Sequence, residues 1–215
     1  MSQAEIELLV SGAQTLGVPL STKMLDAMMQ LIDQLEHGNA QFNLTAIRDR
    51  LGMLQKHLLD SLSMHGYLRG RRIADVGTGA GFPGLPLAIA NPERSFTLIE
   101  STGKKARFVA RTAVQIGCEN VEVVNRRAEA YQPTQLFDSV VARALSSMPE
   151  FVARAGHLCS PQGRMLAMKG KISEEELAGI GRSFRIVAVH RIEIPGLAAQ
   201  RHVIELAHSQ GAHTA

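Results

Sequence analysis

Ile73-Ala74-Asp75-Val76-Gly77-Thr78-Gly79-Ala80-Gly81-Phe82-Pro83-Gly84 is a short apolar run that enters a glycine-rich turn just ahead of a helix-length segment. Glycines let the backbone turn tightly and approach a ligand where a Cβ would intrude. Gly79-x-Gly81-x-x-Gly84 satisfies the dinucleotide fingerprint, a weak signal by itself. Asp75, just ahead of Gly77, favours a different nucleoside cofactor. A carboxylate there suits a cationic amino-acid moiety and sits poorly against a pyrophosphate. Glu100 follows Gly79 by 21 residues, at the end of the next apolar run, where it can accept two hydrogen bonds from ribose hydroxyls. Both cofactor readings need Glu100, so it points to adenosine without choosing between them. The alternative to both is a structural turn with a surface glutamate.

Outward from this turn, short β-branched runs alternate with helix-length segments. The runs are 73–76, 96–99, 121–124, 140–142, 164–168, 186–189 and 203–206; helices are predicted over 85–90, 103–116 and 148–159. Such alternation predicts a mostly parallel seven-stranded sheet with helices on both faces, an α/β Rossmann-like fold. The last two runs flank a predicted loop, Glu193 to Gln200, so a terminal hairpin is expected at the sheet edge. Before Arg72 the period is helical. Ser2 to Glu5 has capping-box spacing, and Ile6, Leu9, Val10 and Ala13 follow it. Ser21 or Thr22 caps a second stripe, Met24 to Leu35, which Gly38-Asn39 is expected to end. A third helix is expected from Arg50 to about His65. The predicted organisation is a helical cap over 1–66, a catalytic domain over 67–208 and a frayed tail over 209–215.

The chain has 215 residues, 45% of them hydrophobic and 20% charged, which excludes a wholly disordered or collagen-like chain. No run is long and apolar enough to span a bilayer, and the first residues lack a secretory pattern, so a cytoplasmic protein is expected. Cys118 and Cys159 have no paired spacing, and no His/Cys/Asp cluster has metal spacing, so neither disulfide nor metal is expected. Nothing demands a dimer. The net charge of +3 divides unevenly: residues 1–66 hold 4 Lys/Arg against 7 Asp/Glu, and residues 67–215 hold 19 against 13. Seventeen of the 23 basic residues are arginine, the side chain suited to phosphate forks and base stacking. A nucleic-acid partner is therefore permitted, though a solvated basic face has the same composition.

At these residues the chain resembles a class I S-adenosylmethionine-dependent methyltransferase. More narrowly, it resembles the bacterial small-subunit ribosomal RNA methyltransferase G family, also called glucose-inhibited division protein B. The resemblance takes in Asn43-Leu44-Thr45, Lys56 to Leu62, Asp75 to Ile89, Glu100-Ser101 with Lys104 to Phe108, Arg127-Ala128-Glu129, Phe137-Asp138, Val141 to Ala144, Lys169-Gly170 and Arg201, in collinear order. It departs at Ala207-His208, where the family often has a lysine. The resemblance implies methyl transfer from S-adenosylmethionine to N7 of a guanine in the decoding region of 16S ribosomal RNA.

By resemblance the cofactor site takes Asp75, Gly77, Gly79, Gly81, Phe82, Glu100, Ala128, Glu129 and Arg143. Arg143 is also the catalytic candidate, orienting substrate at guanine O6 or a phosphate. Its bland alternative is an ion pair with Glu129 or Asp75. Arg127, Lys169 and Arg201 would form a basic rim for RNA. Lys104 is either an RNA contact or part of a solvated helical face. His57 is an RNA or lid candidate, or else the partner of Asp60 at i, i+3 spacing on a helix. Guanine N7 carries an exposed lone pair and loses no proton, so orientation rather than base catalysis is required. The position after the fourth strand reads Ala142-Arg143-Ala144-Leu145, not the Asn/Asp-Pro-Pro-Tyr loop of exocyclic-amine methylation. Both cysteines read as structural, not as the nucleophile that cytosine C5 methylation needs. Two other functions compete with this one: an NAD-dependent oxidoreductase, disfavoured by Asp75 and by the lack of a Tyr/Lys pair, and a non-catalytic ribosome-binding module, against which the intact cofactor motif counts.

Overall fold

The computed structural model describes residues 2–143, 147–173, 177 and 179–209. Ala144 and Leu145, and the predicted tail beyond Ser209, lie outside them. Helices α1 (Gln3–Thr15) and α2 (Thr22–Phe42) lead into a continuous helical segment that changes period: α3 (Arg50–Met53), a π-helical stretch over Leu54–Leu59, and α4 (Asp60–Leu62). Then come β1 (Arg72–Val76), α5 (Gly84–Ala90), β2 (Ser95–Ile99), α6 (Gly103–Gln115), β3 (Val121–Val124), β4 (Phe137–Arg143), α7 (Met148–Ala155), β5 (Cys159–Lys169), β6 (Phe184–Ile194) and β7 (Leu197–His208).

The sheet order is β3-β2-β1-β4-β5-β7-β6. Strands β1 to β5 pair in parallel, and β7 lies antiparallel between β5 and β6. This is the mostly parallel, helix-covered sheet that the alternation predicted, with the hairpin at its edge. Because successive side chains in a strand point to opposite faces, the core divides in two. Ile73, Phe96, Leu98, Val141, Leu166 and Met168 enter one cluster with residues of α1, α2, the π-helical stretch, α5 and α6. Ala74, Val76, Val140, Ala142, Met165 and Ala167 enter the other, against Met148, Phe151 and Ala155 of α7. Strand order reverses between β1 and β4, so the carboxyl ends of those strands open the crevice in which such sheets bind ligands.

Four predicted boundaries move. Helix α2 does not stop at Gly38-Asn39. It runs to Phe42 and is capped by Asn43 in the left-handed conformation (φ 49°). Gly38 is needed for close packing instead, since a Cβ there would stand 2.5 Å from Phe108 Cε2. The third helix is interrupted by the π-helical stretch. Cys159 opens β5 rather than closing a helix. The predicted loop over 193–200 is mostly strand, because β6 and β7 pair as far as Ile194 and Leu197 and leave only Pro195-Gly196 to turn.

Gly84 begins α5 beneath the glycine-rich turn, and its amide donates to Asp75 Oδ2 (2.8 Å). A Cβ at this position would overlap Leu98 and stand 2.7 Å from Asp75 Oδ2. Gly84→Ala is therefore expected to cost about 1–3 kcal/mol by overpacking. In a chain of this size that lowers the thermal midpoint by about 2–4 °C per kcal/mol. An unchanged midpoint in a calorimetric scan would contradict the packing described.

Candidate active site

Residues at the carboxyl ends of β1, β2 and β4 form the site, together with the helical segment that crosses above them. Gly77, Gly79 and Gly81 all take positive φ (70°, 63° and 96°), which holds the turn open. An added Cβ at Gly77 would meet nothing within 4 Å, and at Gly79 only Gly77 O at 3.9 Å. The cradle therefore faces free space. Glu100 is buried, with Oε2 accepting from the Gly79 amide (2.9 Å) and Oε1 from the Thr102 amide (2.7 Å). Each oxygen keeps a lone pair for a further donor. A pocket beside the turn is walled by Gly77, Ile99, Ser101, Ala128, Glu129 and Phe151. Ala128 is buried and Glu129 exposed.

Asp75 is fully buried at the base of the turn. Its Oδ2 is held by Gly84, while Oδ1 makes no hydrogen bond among the described residues. Burial pushes its pKa up to about 6, against the opposing pull of the Thr78 hydroxyl, the Gly84 amide and the Arg143 guanidinium. A buried carboxylate oxygen without a partner is a costly feature for a fold alone. The amino-acid ammonium of S-adenosylmethionine is a partner of the right charge, so the donor set and the open cradle fit that cofactor.

Arg143, at the end of β4, pairs with neither Glu129 nor Asp75. Its Nη1 donates to the Lys56 carbonyl (2.9 Å) and to Asp60 Oδ2 (3.2 Å), and its Nη2 donates to His57 Nδ1 (3.1 Å). It also lies over the Phe82 ring, 5.5 Å from the centroid. The tautomer of His57 follows from these contacts. A guanidinium only donates, so Nδ1 accepts and Nε2 carries the proton toward Thr45 Oγ1 (2.9 Å). The neutral ring stacks on Phe82 at 4.7 Å and 25°. Burial and the Arg143 charge lower its pKa to about 3. Its ring resonances are therefore expected to show no titration between pH 5 and 8 in a carbon–proton NMR experiment. A midpoint near 6.5 would mean that the Arg143 contact is absent in solution.

Asp60 does not pair with His57 along the helix. It is buried and bridges Arg143 with one oxygen and Arg201 Nε with the other (2.7 Å). The π-helical stretch lies directly before it; such stretches recur at functional sites because the added residue re-aims the side chains around it. Lys56, Asp60, Arg143, Met168, Lys169, Gly170 and Arg201 line one pocket beside the crevice. The structure thus gathers His57, Asp75, Phe82, Glu100, Arg143, Lys169 and Arg201 around one crevice. Arg127 is highly exposed and meets Glu129 at 3.7 Å. Lys104 lies outside the Arg143 pocket, in a separate groove with Phe42, Arg107, Phe108 and Arg111. His208 sits at the opposite end of the sheet against Phe184 and the Cys159 carbonyl, so the departure there lies away from the site. From spacing alone Asp60 is one half of a helical pair with His57. The available signal was a carboxylate inside the apolar run Leu58 to Leu62, which implies burial and hence a cationic partner.

A seven-stranded sheet of this order, with a glycine turn after β1 and a carboxylate closing β2, defines a class I S-adenosylmethionine-dependent methyltransferase. Solved structures share the fold: a methyltransferase from Thiobacillus denitrificans in complex with S-adenosyl-L-homocysteine (TM-score 0.52, 12% identity, 70% of this chain and 91% of that one). The glycopeptide N-methyltransferase MtfA, also complexed with S-adenosyl-L-homocysteine, gives a TM-score of 0.60 at 9% identity over 71% of this chain and 87% of that one. The family model described as rRNA small subunit methyltransferase G matches residues 24–204. Ribosomal RNA small subunit methyltransferase G of Nitrosococcus oceani is 45% identical over 93% of each chain. Its counterpart in Stutzerimonas stutzeri is 42% identical over 96% of this chain and 97% of its own. The chain belongs to the rRNA small subunit methyltransferase G family.

Proposed function

We infer that this protein transfers the methyl group of S-adenosylmethionine to N7 of a guanine in the decoding region of 16S ribosomal RNA, acting as a cytoplasmic monomer. When bound, the cofactor supplies an electrophilic methyl on a sulfonium, which the N7 lone pair takes directly with departure of a neutral thioether. The chain's residues then have three tasks. Asp75 holds the ammonium and Glu100 the ribose hydroxyls, while Ile99, Ala128 and Phe151 give the adenine apolar walls. Arg143, braced by Asp60, Lys56 and His57, presents its remaining N–H groups to the guanine acceptor edge. Lys169 and Arg201 add positive charge for the neighbouring phosphates.

The observation that carries this reading is that, apart from Asp75, which lies at the base of the cofactor turn with Oδ2 held by the Gly84 amide, no buried titratable group described in the crevice is placed as a base. Asp60 is committed to two arginines, His57 is neutral with both nitrogens engaged, and Glu100 is held by backbone amides. The cysteines do not serve as nucleophiles, since burial raises Cys118 to about 11 and Cys159 to about 12. That suits an acceptor that loses no proton.

The test is methyl transfer from labelled S-adenosylmethionine to naked 16S RNA, small subunits, bulk tRNA and protein in parallel. Label in 16S RNA with aniline-induced cleavage at one guanine is expected. Label confined to tRNA or protein would overturn the assignment.

A further inference from the structure

Lys104, Arg107 and Arg111 form one stripe on α6 at i, i+3 and i+7 spacing, reaching about 10 Å along the helix. They make no hydrogen bond or ion pair among the described residues. The helix carries no acidic residue. Beside the stripe, Phe42 at the end of α2 is 41% exposed, and buried Phe108 forms part of the groove between them. The Arg48 guanidinium donates to Asn43 Oδ1 (3.3 Å), on the residue that follows Phe42.

Both walls of this groove lead to the site. The α6 wall begins after Thr102, whose amide donates to Glu100 (2.7 Å). The α2 wall continues through Asn43 and Leu44 to Thr45, which is bonded to His57 (2.9 Å). We propose that the groove between Phe42 and α6 is a docking track for single-stranded RNA flanking the target guanine, with an unpaired base stacked on Phe42 and phosphates on Arg107 and Arg111. A single strand is specified because only an unpaired base offers a free face to an exposed ring. This rests on the RNA substrate proposed above and extends it beyond the reacting base.

Two variants test it, Phe42→Ala and Arg107→Gln/Arg111→Gln, both at positions away from the cofactor cradle. Binding is measured by fluorescence anisotropy at several salt concentrations, with a 16S fragment long enough to leave the crevice, with an oligonucleotide of a few residues around the target guanine, and with assembled small subunits. The long fragment is expected to bind Phe42→Ala roughly tenfold more weakly. For the double variant its log–log salt slope should fall by about 1.4, at about 0.7 per single-strand phosphate. Affinity for the short oligonucleotide and for S-adenosylmethionine should stay unchanged. Equal binding of the long fragment by variants and wild type overturns the track. So does a loss seen only with assembled small subunits, which assigns the groove to a ribosomal protein. A wild type that neither binds nor methylates either RNA instead overturns the RNA substrate itself.

Discussion

Asp75→Asn is expected to make the ligand-free protein more stable at pH 7 while abolishing S-adenosylmethionine binding. The two effects share one cause. Asp75 is buried with Oδ1 unpartnered, and its pKa is raised from 3.8 to about 6. A carboxyl whose folded pKa exceeds its unfolded one binds more protons when folded. Its contribution therefore becomes less favourable as pH rises from about 4 to about 6, and the cost is fully present at pH 7. A shift of this size corresponds to a cost on the order of 3 kcal/mol. Asparagine keeps an acceptor for the Gly84 amide and removes the charge, so it relieves that cost. It also places an amide donor where the ammonium would bind. Thermal unfolding of the ligand-free variant should move up and calorimetric heats with the cofactor should vanish; retained binding would show that Asp75 does not face the ammonium. His57 adds a second sign. Its pKa is lowered to about 3, so it binds fewer protons when folded, and its contribution is lost as pH falls from about 6.5 toward 3. In the wild type the two groups oppose each other between pH 4 and 6. With Asp75 neutralised only the histidine remains, so the variant should lose stability on acidification more steeply than the wild type.

Asp60→Asn is expected to lower turnover by about two orders of magnitude with little change in cofactor affinity. The carboxylate accepts from Arg201 of β7 with Oδ1 and from Arg143 at the end of β4 with Oδ2. An asparagine offers only one oxygen, and its amide donor would face a guanidinium that can only donate. Arg143 would then be fixed by Lys56 and His57 alone. Misplacing an orienting group by about 1 Å can cost roughly a hundredfold in rate. The two guanidinium side chains remain 18% and 23% exposed, so the loss in stability is reduced by solvent screening. About 2 kcal/mol is expected, below the 3–5 kcal/mol of a fully buried pair. The split between kinetic constants separates a positioning role for Asp60 from a merely structural one. The rate constant with saturating RNA should fall while the Kd for S-adenosylmethionine holds within about twofold, and Asp60→Glu should recover part of the rate. A variant with a lower melting midpoint but wild-type turnover would reduce Asp60 to a structural role.

What was legible in the sequence is local. The β3 limits, the start of α7 and the cap of α1 follow from periodicity and capping chemistry within a few residues. The glycine turn is equally local, since positive φ at Gly77, Gly79 and Gly81 is a property of the turn itself. Misread elements are those shaped by a distant neighbour. Leu197-Ala198-Ala199-Gln200 has little strand propensity of its own and is extended because the pairs Leu197 with Ile194 and Arg201 with Ile192 hold both of its ends against β6. Gly38 looked like a helix end because glycine usually serves there, yet here it makes room for Phe108, 70 residues later.

By itself, then, the sequence determined the sheet, the glycine turn with its flanking carboxylates Asp75 and Glu100, and the family. Only the tertiary structure decided what Arg143 and Arg201 do, because Asp60 reaches them across 83 and 141 residues. The physical reason is that a buried carboxylate announces its need for a counter-charge but not which one. That choice belongs to the strand order, which brings Arg143 at the end of β4 and Arg201 within β7 against the helical segment that carries Asp60.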